Sequence, residues 1–144
     1  MYRTIVLTHI ACGVVALVTY WMAGLSKKGS PFHKRSGKVY LVAMIGIIAS
    51  SLYLAASAFA GGKPVIGTFL AYLVVITATA MWLGWTSIRR KREQTRFRDR
   101  GYVALALGNV ISGGVVFAFG VNVADYLLMG FSWVGIIIGG QMLW

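Results

Sequence analysis

Lys27-Lys28-Gly29-Ser30-Pro31-Phe32-His33-Lys34-Arg35-Ser36-Gly37-Lys38-Val39-Tyr40 separates two long apolar runs and carries five lysines and arginines but no acid. Gly29, Ser30 and Pro31 interrupt any helix that enters the stretch. The runs on either side, about 4–25 and 39–60, are each long enough as helices to cross the ~30 Å hydrocarbon core of a bilayer. A short basic loop between two such runs is a membrane turn. Its charge predicts that it faces the cytoplasm, because lysine and arginine accumulate on that side. Lys27, Lys28, His33, Lys34, Arg35 and Lys38 are therefore expected to anchor the turn at anionic lipid headgroups.

Outward from this turn the pattern repeats. Apolar runs at about 65–88, 101–121 and 126–143 predict three more spans. The last is near the lower limit of length, so four crossings is the fallback. Between the third and fourth runs a second basic segment, residues 89–100, holds seven cations, Arg89, Arg90, Lys91 and Arg92 among them, against two acids. The two basic segments contain twelve of the chain's fourteen lysines and arginines, and two crossings separate them, so both can lie on one side. The expected architecture is all-α: one polytopic transmembrane helix bundle with the N-terminus outside and the C-terminus in the cytoplasm. The expected location is the cell inner membrane.

Composition agrees. The chain is 58 % hydrophobic over 144 residues, with a mean hydropathy of +0.76. A water-soluble domain of that size needs a more polar surface. The net charge of +11 is explained by loops beside apolar spans, and no nucleic-acid partner is expected. Ala23-Gly24-Leu25-Ser26 imitates a leader cleavage site. The first run is nevertheless long enough to span, and it is read as a retained helix.

Helical spacing assigns faces. His9, Gly13, Ala16 and Tyr20 share one face of the first span, and Ala43, Gly46 and Ser50 share one face of the second. Ala104, Gly108 and Ser112 form a small-residue ridge on the fourth. Gly135 and Gly139 form a GxxxG pair on the fifth. Such ridges let helices approach closely, either within the chain or to a membrane protein partner or second copy through helices four and five.

Few residues offer chemistry. His9 lies inside a span, where a titratable group marks a candidate site. Its readings are haem ligand, quinone hydrogen-bond donor, proton relay, or simply an interhelical hydrogen bond to Ser, Thr or a carbonyl. His33 sits in the basic turn and is read as a cap of the second helix or a headgroup contact. The two histidines lie roughly 24 Å apart along the membrane normal, too far to share one haem. Met129 falls near the depth of His9 and leaves His/Met ligation of a b-type haem open, with His9 as the metal ligand. Asp125 is the one acid outside the basic segment, placed to pair with Arg3, Lys63 or His9. His9, Tyr53, Ser57, Thr68, Tyr72, Asn122 and Asp125 fall in the outer half, where together they would line a shallow pocket. Gly13 beside His9 and the amide of Asn109 near mid-membrane complete the candidate ligand-binding set. Phosphate-binding loops, dinucleotide fingerprints, HExxH, CxxC and GxSxG are all missing, so no catalytic residue is assigned.

His9-x3-Gly13, Lys28-Gly29, His33-Lys34-Arg35-x-Gly37-Lys38-x-Tyr40 and Met44 resemble the family of predicted bacterial membrane proteins called domain of unknown function 2306. Lys34 and Lys38 stand where that pattern has arginine. The resemblance covers residues 8–44 and singles out His9, Gly13, His33, Gly37 and Tyr40. It implies a bacterial multi-span membrane protein and brings no activity with it. Two readings of function follow. One is a non-enzymatic accessory or scaffold subunit, or a binder of a lipophilic small molecule among its helices. The other is a redox protein holding one b-type haem or a quinone near His9, with a small-solute permease as a weaker third.

Overall fold

The computed structural model describes residues 2–89 (side chains to Thr86) and 100–144. Five helices follow one another: α1 (Tyr2–Leu25), α2 (Pro31–Ala60), α3 (Pro64–Arg89), α4 (Arg100–Asn122) and α5 (Tyr126–Leu143). Each is long and apolar enough to cross a membrane. No strand occurs among the described residues.

The turns explain the helix ends. Gly29 adopts φ +87°, a conformation that a side chain disfavours. Ser30 then caps α2: its hydroxyl accepts from the His33 N–H at 3.1 Å, and Pro31 occupies the first turn, where its missing N–H costs nothing. The expected second span, 39–60, is thereby corrected. Pro31 does not break a helix but begins one, and α2 has 30 residues, about 45 Å at ~1.5 Å each. Its first two turns, with Lys34, Arg35 and Lys38, extend past the apolar core as a charged collar. At the other end Gly61 and Gly62 (φ +66°) close α2, and Pro64 opens α3, as the sequence indicates.

Between α4 and α5 the chain turns within three residues. Ala124 takes φ 53°, unusual for a residue with a Cβ. The Asp125 N–H reaches back to Gly120 O at 2.9 Å. Asp125 then caps α5 by accepting from the Leu128 N–H at 3.0 Å.

The packing is serial. α1 lies along α2, α2 along α3, α3 along α4, and α4 along α5, with a light α3–α5 contact. Among the described residues α1 touches neither α4 nor α5. The helices thus form an open row of two antiparallel hairpins joined through α3, not a closed bundle.

Small residues set the contacts. In the α1–α2 hairpin Ala16 and Ala43 are buried, a Cβ at Gly46 would meet Cys12 Sγ at 2.7 Å, and the rings of Tyr20 and Tyr40 lie 6.1 Å apart. The expected face of α2 meets α1; on α1 His9 and Ala16 take part as expected, but Cys12 meets Gly46 and a Cβ on Gly13 would meet nothing within 4 Å. In the α4–α5 hairpin Gly135 and Gly139 are buried as expected, but the α4 face is different. Ala106, Asn109, Gly113, Val116 and Gly120 line it. The expected ridge of Ala104, Gly108 and Ser112 points elsewhere: Ala104 is exposed and nothing lies within 4 Å of a Cβ on Gly108. The apolar core is Tyr72, Val116 and Leu128, with Val65, Phe69, Ile76 and Phe119 against it.

Candidate functional site

Polar side chains join the helices at two places described below, one in the α1–α2 hairpin and one among α3, α4 and α5. The first joins α1 to α2. His9 is placed by the face it shares with Ala16, which packs on α2, and its Nδ1 lies 2.8 Å from Ser50 Oγ. Ser50 also reaches Gly46 O at 2.7 Å and Ile47 O at 3.0 Å. The interhelical hydrogen bond considered for His9 is therefore present. Ser50 was legible as a small residue on the matching face of α2, but nothing in the sequence paired the two.

The second contact joins α3, α4 and α5. Asn109 is fully buried. Its Nδ2 donates to Thr79 Oγ1 at 2.7 Å and to Leu105 O at 2.8 Å. Thr79 passes its own proton to Val75 O at 2.9 Å. Asn109 Oδ1 has no partner among the described residues. Close by, the Tyr72 hydroxyl enters the backbone of α5. It donates to Ser132 O at 2.8 Å and accepts from the Gly135 N–H at 2.9 Å. Only glycine at 135 allows this approach, because a Cβ there would collide with the tyrosine oxygen. Thr79 is a residue that sequence reasoning missed, since a threonine within an apolar run carries no mark of an interhelical partner; Ser132 was missed because it takes part through its backbone carbonyl, while its hydroxyl returns to Met129 O of α5 at 2.6 Å.

The structure divides the candidate set between these places. His9 and Gly13 lie on α1. Tyr53 and Ser57 lie on the C-terminal half of α2. Tyr72 and Asn109 belong to the α3–α4–α5 contact. Asp125 caps α5, and no ion pair to Arg3, Lys63 or His9 accompanies that role among the described residues. Because α1 reaches none of α3, α4 and α5 among the described residues, His9 does not share a pocket with Tyr72 or Asp125. The same separation places Met129, which packs near Gly120, away from His9. Among the described residues no three His, Cys, Asp or Glu side chains gather as a metal site.

His33, expected as a cap of α2 or a headgroup contact, turns its ring instead to the end of α1. Its Nδ1 lies 3.0 Å from Ala23 O, and that carbonyl can only accept. The ring therefore donates to the end of α1 while the backbone N–H is held by Ser30, so one residue closes both sides of the turn. Of the expected headgroup anchors, Lys27, Lys28, Lys34, Arg35 and Lys38 are exposed. Arg90, Lys91 and Arg92 lie outside the described residues, as does the Arg89 side chain.

No family model, curated protein or solved structure matches the chain. What the fold itself defines is coarse: five apolar helices compatible with a multi-pass integral membrane protein.

Proposed function

We propose that the chain is a non-enzymatic membrane subunit that works by lateral association with another membrane-embedded chain, its basic loops on the cytoplasmic side of the inner membrane. The observation that carries this is the two-sided α4. One side is filled by α5. The other presents Ala104, Gly108, Gly114 and Ala118 outward between the exposed Ile111 and Val115, with nothing within 4 Å of a Cβ at either glycine, so that small residues and projecting apolar side chains alternate on one face. Helix pairs in lipid form where small residues let backbones approach, since lipid tails give apolar side chains no reason to associate. The open row adds support. A chain whose first helix packs on its neighbour alone leaves lateral faces for others.

The orientation and the choice of membrane rest on the gathering of twelve of the fourteen lysines and arginines in the two basic segments. Cross-linking and native electrophoresis in lipid nanodiscs test the association. The expected result is a dimer or a co-purifying membrane protein that is lost in Gly108→Leu. A strictly monomeric species with no co-purifying protein rejects the reading.

A further inference from the structure

His9 is a polar group in a membrane-spanning helix, and only one of its two nitrogens is provided for. Ser50 Oγ lies 2.7 Å from Gly46 O. Two oxygens at that distance with no proton between them repel, so the serine proton points at the carbonyl. The lone pair that remains faces His9 Nδ1 at 2.8 Å, which must then carry the imidazole proton. The neutral ring is the Nδ1–H tautomer, and Nε2 is left with a free lone pair. Among the described residues no donor meets it.

His33 is held through its Nδ1 in the same way, but at the basic turn between the apolar runs. His9 lies about 10 Å along α1 from its first residue at ~1.5 Å per residue. An acceptor without a donor is costly in hydrocarbon.

The space beside the ring is also unfilled. Gly13 is one turn on, on the same side of α1, and a Cβ there would meet nothing within 4 Å. His9 and Gly13 are both half-buried, and Ile10, Val14 and Leu17 around them are exposed. The notch therefore opens sideways into lipid. A ligand that enters through lipid, lies flat on bare backbone and satisfies Nε2 is a lipophilic ring carrying a hydroxyl.

We propose that His9 Nε2 accepts a hydrogen bond from the hydroxyl of a membrane-soluble hydroquinone seated in the notch at Gly13. The fixed tautomer gives the site a preference. A hydroquinone can donate to Nε2, whereas the oxidised quinone offers only acceptors and meets the lone pair unfavourably.

The experiment uses the full chain in nanodiscs, titrated with decylubiquinol and, separately, decylubiquinone. The quinol binds at least about tenfold more tightly than the quinone, the scale of one hydrogen bond. His9→Phe abolishes the difference and His9→Gln, which keeps an acceptor, retains part of it. Ser50→Ala releases the tautomer and narrows the ratio. Nitrogen-15 spectra of the unliganded wild-type chain, which do not depend on any variant folding, show His9 Nε2 unprotonated. Equal affinities, preference for the quinone, indifference to His9→Phe, or a protonated Nε2 would each overturn the proposal. So would a haem Soret band that depends on His9 without quinol binding.

Discussion

Gly139 and Gly140 are neighbours in α5 with opposite surroundings, and the pair measures how tightly α4 and α5 are locked. A Cβ built on Gly139 lies 2.5 Å from Ala106 O, 2.7 Å from Val110 Cγ2 and 3.0 Å from Val110 N. Two of these three atoms are α4 backbone, which cannot rotate out of the way. To restore an ordinary contact of 3.4 Å or more, the helices must part locally by about 0.9 Å, and that gap loosens every neighbouring contact along the seam. Overpacking of this kind costs about 1–3 kcal/mol. A Cβ on Gly140 meets nothing within 4 Å. Both substitutions gain the same helix propensity, so the difference between Gly139→Ala and Gly140→Ala isolates the packing term. We expect Gly139→Ala to be the less stable by about 2 kcal/mol, roughly a thirtyfold difference in the unfolding equilibrium. Titration with sodium dodecyl sulfate, followed by tryptophan fluorescence, reads this directly. Equal midpoints for the two variants would refute the close α4–α5 seam and with it the placement of the GxxxG face.

Four further outcomes are expected. Asp125→Ala removes the cap of α5 and lowers stability by about 1 kcal/mol in the same titration. Ala124→Gly relieves a left-handed residue and raises stability by up to about 1 kcal/mol; a loss there would contradict the turn geometry. Tyr72→Phe costs only about 1 kcal/mol, because the freed Gly135 N–H can turn to Phe131 O and complete the α5 ladder, and a much larger loss would mean that the hydroxyl holds more than this backbone. Single cysteines at Lys27 and at Lys63, in a chain whose Cys12 is replaced by serine, label from opposite sides of sealed vesicles; labelling from one side would overturn the crossing order.

What the sequence revealed, and what it hid, divides along one physical line. Length and hydropathy locate helices because the bilayer imposes both, and all five spans were recognisable with ends displaced by a few residues at most, except at the start of α2. There the same proline that interrupts a helix also suits its first turn, and only Ser30 before it decides between the two. Faces were legible where both partners carried small residues, as at Ala16, Ala43 and Gly46. They were ambiguous on α4, which has small residues on two sides. The side used is fixed by the glycines of α5, and α4 by itself carries no sign of it. For the candidate site, His9 and Asn109 stood out because polar groups are rare in spans. Their partners Ser50 and Thr79 did not, because a hydroxyl that can return its proton to its own helix leaves no sequence trace of a second bond.

The open row has a consequence for how the chain is made. Apart from the light touch of α3 on α5, every helix contact among the described residues joins elements consecutive in the chain. No helix waits for a distant partner, and chains dominated by local contacts reach their structure quickly. α1 and α2 can settle as a hairpin once the first basic turn is retained at the membrane surface. α3 then adds to a finished edge, and α4 and α5 close as a second hairpin. The order of synthesis is in this way also the order of assembly, and at no stage is a span required to exchange one neighbour for another.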